Sequence, residues 1–117
     1  MQAAQVRRLR SLAAYGKRFL LAGDQNAGKR GPKAQSQAVA AGMTAGEPDL
    51  RIYLPGARIG LIENKVGNAK LKPEQIARHA ALAAIGHKVE VIRATTEAEA
   101  ADKAEALVRS WLADNDT

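Results

Sequence analysis

Two short apolar runs joined by a Pro-Gly turn, "EPDLRIYLPGARIGLIENK" at residues 47 to 65, constrain this chain more than any other stretch. In a strand, side chains alternate between faces. Asp49, Arg51 and Tyr53 then share one face of the first run, and Leu50, Ile52 and Leu54 share the other. In the second run Ile59, Leu61, Glu63 and Lys65 share a face. The loop Pro55-Gly56-Ala57 belongs to a common hairpin class. It pairs Leu54 with Arg58, Ile52 with Gly60 and Leu50 with Ile62, and so sets Asp49 opposite Glu63. Side chains so placed have Cβ atoms about 4.5–5.5 Å apart.

Two bare carboxylates at that distance repel, and one must take a proton unless a cation lies between them. Mg²⁺ and Mn²⁺ prefer oxygen ligands. Lys65 follows on the same face, where an ammonium can offset the acids, orient a water or stabilise a phosphate. An Asp followed by Glu-x-Lys on the next strand therefore suits metal-assisted phosphodiester hydrolysis. From spacing alone a second reading stands beside it: strand-end charges that are simply solvated.

The rest of the chain reads as one mixed α/β domain over residues 1–117, in the order α-β-α-β-β-α-β-α. Residues 2 to 15 read as an Ala- and Leu-rich helix, 17 to 22 as a strand, 23 to 33 as a basic loop and 34 to 42 as a short helix. Pro73 suits the first turn of a helix that runs to Ile85 and stops at Gly86. Residues 87 to 93 read as a strand. Thr96 and Glu99 form a capping box for a last helix with Ala104, Leu107, Val108 and Trp111 on one face. Trp111 is then a core residue or a dimer contact, and Tyr53 packs rather than forming a base-stacking platform.

The absence of Cys excludes a disulfide scaffold and a thiolate metal site. His79 and His87 are too few ligands for zinc. No apolar run approaches the roughly 18 residues of a membrane span, and no signal peptide is visible, so a cytoplasmic protein without a membrane partner is expected. The net charge of +6 and pI near 10 fit a nucleic-acid partner, although many basic proteins bind none. Arg7, Arg8 and Arg10 are either a solvated face or phosphate contacts.

"GDQNAGK" at 23 to 29 has the outline of a phosphate-binding loop but fails its chemistry. That motif needs Ser or Thr after the Lys and a helix starting there. Arg30, Gly31 and Pro32 follow instead. The loop is either solvated and flexible, or it touches a nucleic-acid backbone through Lys29, Arg30 and Lys33.

"GEPDLRIYLPGARIGLIENKVGNAKLKPEQIARHAALAAIGHKVEVI" resembles the core of the VRR-NUC family, within the PD-(D/E)xK nuclease superfamily. Pro48-Asp49 sits where the family has "PD", and Glu63-Asn64-Lys65 where it has E-x-K. "KPEQIARH", with Gln75 and His79, matches its helix motif, and "IGHKVEVI" resembles the strand that follows. "DQNAGKR", with Asn26, resembles a loop seen in relatives. The resemblance covers residues 23 to 93 well and the N-terminal helix poorly.

The resemblance implies a restriction-endonuclease-like αβββαβ core with a mixed central sheet flanked by helices. It also implies a Mg²⁺- or Mn²⁺-dependent endodeoxyribonuclease acting on branched or structured DNA. Small stand-alone members occur in phages and bacteria and resemble junction resolvases, which sets the expected location in a bacterial cytosol. Asp49 and Glu63 would bind the metal, with the carbonyl of Asn64 assisting. Lys65 would support the water or phosphate, and Gln75 would line the site. Asn26, Lys29, Arg30 and Lys33 would touch DNA. A homodimer follows by analogy with the two-fold character of branched substrates.

Two departures matter. Relatives carry an acid on the first helix, where this chain has only Gln2 and Gln5. Glu47 replaces a small apolar residue before "PD", as a turn residue or a substitute carboxylate. The missing acid keeps open an alternative, a non-catalytic nucleic-acid-binding module on the same fold.

Overall fold

The register of the central hairpin follows from its loop. In the structure, a computed structural model that describes residues 1–24 and 31–115, Leu54 pairs with Arg58, Ile52 with Gly60 and Leu50 with Ile62. Gly56 and Ala57 both take left-handed backbone, at φ +75° and +59°. The elements are α1 (Gln2–Arg10), β1 (Leu20–Gly23), α2 (Pro32–Ala40), β2 (Leu50–Leu54), β3 (Arg58–Val66), α3 (Pro73–Ala84), β4 (Val89–Ala94) and α4 (Glu97–Asn115). The strands form one mixed sheet in the order β1-β2-β3-β4. The first two pairings are antiparallel. β4 runs parallel to β3, because α3 carries the chain across the sheet between them.

The two faces of the sheet are built differently. Leu50, Ile52, Leu54, Ile62 and Ile92 point to one face and pack against Leu9 of α1 and Ala104, Val108 and Leu112 of α4. At ~25 cal/mol per Å², burying these aliphatic side chains is the main stabilising term. α4 starts where expected: Thr96 Oγ1 accepts the Glu99 N–H at 3.1 Å, and Glu99 Oε1 accepts the Thr95 N–H at 2.8 Å. The opposite face carries Asp49, Arg51, Tyr53, Ile59, Leu61, Glu63 and Lys65; α3 lies against it at Glu63, and Gln35 and Val39 of α2 border the cavity beside Asp49. No residue of α3 is fully buried, so this cover is thin.

Several boundaries differ from the sequence expectation, most of all at α1 and β1. α1 stops at Arg10 rather than near Tyr15. Ser11 Oγ donates to the Arg8 carbonyl at 2.6 Å, a local bond that competes with the next helical turn. Left-handed Gly16 and an edge-on Tyr15–Phe19 ring pair, centroids 5.4 Å apart, then hold a knot of turns that delays β1 to Leu20. α2 begins at Pro32, which suits a first helical turn, so Lys33 lies in a helix rather than a loop.

The hairpin gives two substitutions of opposite sign. Trp111 lies over Gly60, and a Cβ there would run into its ring. Gly60→Ala should therefore destabilise by ~1–3 kcal/mol. Ala57 holds a conformation costing an L-residue about 1–2 kcal/mol, so Ala57→Gly should stabilise by up to ~1 kcal/mol after the entropy lost by glycine. Denaturant melts of the two variants check both signs.

Candidate functional site

Three elements converge beyond the last rungs of the β2–β3 ladder. Asp49 lies one residue before β2, where the register places it opposite Glu63. It does not continue the backbone ladder there. Instead its Oδ2 accepts the Asn64 N–H at 2.8 Å. Glu63 is 2% exposed. Gln75 and His79, one turn apart on α3, both face it: Gln75 Nε2 donates to Glu63 Oε2 at 3.4 Å, and His79 Nε2 lies 3.2 Å from Glu63 Oε1. Gln75 is itself held, because its Oε1 accepts the Lys72 N–H at 2.9 Å at the start of α3. The i, i+4 spacing of Gln75 and His79 is what lets one helix face grip one carboxyl group.

The electrostatics follow from this packing. Burial, then the hydrogen bond and charge of Asp49, push Glu63 up to about 8, while Lys65 pulls the other way. Burial lowers His79, with Asp49 opposing and Lys65 assisting. At neutral pH a proton on Glu63 therefore relieves the conflict between two close acids. A divalent cation is the other species that relieves it. The donor set fits such an ion: Mg²⁺ is commonly held by one or two carboxylates, with water and substrate phosphate completing its shell. Among the described residues no group of three or more His, Cys, Asp and Glu comes together as a metal cage.

The structure brings together Asp49, Glu63 and Gln75, and places Lys65 on the same face of β3. Asn64 is turned away. Alternation sends its side chain to the opposite face of the sheet, and what it directs at Asp49 is its backbone N–H. Lys33 is exposed on α2. Asn26, Lys29 and Arg30 lie outside the described residues. Glu47 is a structural acid: Arg78 Nε donates to it at 2.9 Å and Arg51 Nη2 at 3.4 Å. In the α1 basic cluster, Arg8 is taken up by Asp102 and Glu105, at 2.7 and 3.1 Å, which ties α1 to α4.

Asp24 escaped the sequence reading, and Gln2 was named there only as standing where relatives carry an acid. The Asp24 N–H donates to the Asp49 carbonyl at 2.9 Å, and Gln2 Nε2 donates to the same oxygen at 3.3 Å. With Glu47, Asp49, Lys72 and Gln75 they border a cavity of about 360 Å³. Gln2 is thus the residue by which α1 reaches the site, whereas Gln5 faces elsewhere. Asp24 closes an apolar strand just as Asp49 opens one, which was a usable signal. No short turn joins β1 to β2, so their register was not readable.

No family model matches the chain, and no curated protein matches it in sequence. A solved structure described as a VRR_NUC domain matches 92% of this chain and 89% of its own length, with a TM-score of 0.54 and 21% identity. The chain has the fold of a VRR_NUC domain.

A raised Glu63 makes the metal-free protein pH-sensitive. The unfolded carboxyl titrates near its ordinary 4.5, the folded one near 8. The extra stability is complete below the first value and is lost as pH rises through the second. His79 acts in the opposite sense below its ordinary 6.5. Between pH 6.5 and 8 the melting temperature in EDTA should therefore fall, and Glu63→Gln should flatten that fall. Thermal melts at half-unit pH steps measure it.

Proposed function

We propose that this chain is a Mg²⁺- or Mn²⁺-dependent endonuclease that hydrolyses phosphodiester bonds in DNA. The carrying observation is the side-by-side placement of Asp49 and Glu63, with Lys65 on the same face of β3. The fold likeness supports a nuclease-type domain, but fold alone does not make an activity, so the assignment rests on these side chains.

Asp49 and Glu63 would hold the cation, with the Asn64 carbonyl as a further oxygen. When bound, such an ion lowers the pKa of a water and draws charge from the phosphate. Gln75 and His79 fix the Glu63 carboxyl on its buried side, so Glu63 enters the reaction already oriented. The Asn64 N–H occupies one oxygen of Asp49 and leaves the other to face the site. Lys65 meets the phosphate as charge builds on its oxygens, where a fixed ammonium costs little reorganisation. Branched or structured DNA is the proposed substrate, since a face covered by an α3 without a buried residue admits a bulky duplex. A homodimer would match the two-fold character of a junction. Lys33, Lys70 and Lys72 are exposed and would meet the DNA backbone with Asn26, Lys29 and Arg30.

Asp49→Ala and Glu63→Ala should abolish Mn²⁺ binding and cleavage, while metal-free stability holds or rises because the close acid pair is relieved. Lys65→Ala should keep the metal and slow single-turnover cleavage by ~10²–10³-fold. Calorimetry with Mn²⁺ and quenched cleavage of junction, flap, single-stranded and duplex DNA test this. Full activity in either acid variant would overturn the site; DNA binding without cleavage in the wild type would favour a binding module.

Affinity for DNA should also fall steeply with salt, with a log–log slope of about −0.9 for each phosphate contacted. A flat salt response in a filter or anisotropy titration would remove nucleic acid as the partner.

A further inference from the structure

On the side of β3 away from the carboxylates sits a polar cluster inside an apolar layer. Gln5 of α1 is 0% exposed. Its Nε2 donates to Asn64 Oδ1 at 2.9 Å and to the Ala100 carbonyl at 3.1 Å. Asn64 Nδ2 donates back to Gln5 Oε1 at 2.6 Å. The two amides thus form a closed reciprocal pair, with a third bond tying it to the first turns of α4. Its surroundings include Leu9, Ile62 and Ile92, each buried. Apolar residues would satisfy this layer equally well, and a buried Gln5 amide paired with a half-buried Asn64 amide adds little net stability. Stability alone therefore gives a weak reason for the pair.

Its position gives a stronger one. Asn64 lies between Glu63 and Lys65, and its backbone N–H is the donor that holds Asp49 Oδ2 at 2.8 Å. An amide pair is directional, unlike an aliphatic contact. It resists both a twist of the strand about Asn64 and a slide along the α1 axis. We propose that Gln5 and Asn64 are positioning residues: their part-buried amide pair fixes the Glu63–Lys65 segment against α1 and α4, and through the Asn64 N–H it aims the Asp49 carboxyl. This rests on the proposed site, but it concerns two side chains that touch neither metal nor substrate. It also gives the first helix a different part: Gln5 serves the site from behind the sheet.

The test exploits the reciprocity of the pair. Gln5→Asn shortens one arm, and Asn64→Gln lengthens the other. The double variant restores the summed length and the amide pairing. Three readouts are taken on the full chain: hydrogen exchange of the Asn64 amide in EDTA, Mn²⁺ affinity by calorimetry, and single-turnover cleavage at saturating DNA. Leu112→Ala, a core truncation at the far end of α4, serves as a control for lowered stability. Each single variant should speed Asn64 amide exchange and weaken Mn²⁺ binding at least several-fold. Each should slow cleavage about tenfold or more with DNA affinity unchanged, and the double variant should recover most of each loss. Leu112→Ala should lower the melting temperature and leave the cleavage rate and Mn²⁺ affinity intact. Single variants that keep wild-type Mn²⁺ affinity and Asn64 protection would overturn the positioning role, as would a loss that merely follows melting temperature across all four proteins. If the wild type cleaves no DNA, the nuclease assignment falls while exchange and Mn²⁺ binding still decide the role of the pair.

Discussion

Asp49 and Glu63 are forced together by a backbone that cannot place them otherwise. The hairpin loop sets the register, the register sets them opposite each other, and the buried apolar face of β2 and β3 forbids a one-residue slip. Such a slip would carry Leu50, Ile52 and Ile62 out of the core and toward solvent. The acids therefore cannot relieve their repulsion by moving the strands apart. What remains is to change charge, by a proton on Glu63 or by a cation. The rest of the structure acts to keep that choice in place: Gln75 and His79 from one side, and Gln5 and Asn64 from the other.

This division explains the lopsided layering. α1 and α4 cover one sheet face with closely packed Leu, Val and Ala side chains, and supply the rigidity. α3 covers the other face without a fully buried residue, although it carries two of the groups that grip Glu63. Around it Tyr53, Ile59 and Ile76 remain substantially exposed, and Ile85 is 73% exposed. A thoroughly packed face there would exclude anything larger than water from Asp49 and Glu63. Rigidity is concentrated behind the site and access in front of it.

The part of this arrangement legible in the sequence was the local part. A short loop and strict alternation fixed the β2–β3 register over a few residues, so Asp49 opposite Glu63 could be computed by counting. Helical spacing likewise put Gln75 and His79 on one face. What alternation could not say was which element lies on each face. Asn64 was assigned to the site for its carbonyl, and its side chain went to Gln5, 59 residues away in sequence. No periodicity encodes a pairing of that span. The end of α1 was missed for a related reason: Ala and Leu favour continuing the helix, while the side-chain bond of Ser11 and the packing of Tyr15 on Phe19 stop it.

The same limit applies to charge. A net +6 suggests a free basic surface, but much of the positive charge here has internal work. Arg8 joins α1 to α4, Arg51 and Arg78 hold Glu47, and Arg93 donates to the Gly67 and Ala69 carbonyls at 3.2 and 2.6 Å. Arg93 thereby pins the loop whose exposed Lys70 and Lys72 lead into α3. Of these, Lys72 borders the cavity beside Asp49. A phosphate drawn in there would, on the proposed function, meet Asp49 and Glu63 at close range, and a charge held between those acids would make the approach favourable. On the proposed function, cation and DNA then bind with positive coupling, each raising the affinity for the other by the same factor. On the same reading, a proton on the raised Glu63 would do part of this in the metal-free protein, leaving a neutral, hydrogen-bonded acid at the site until a cation took the proton's place.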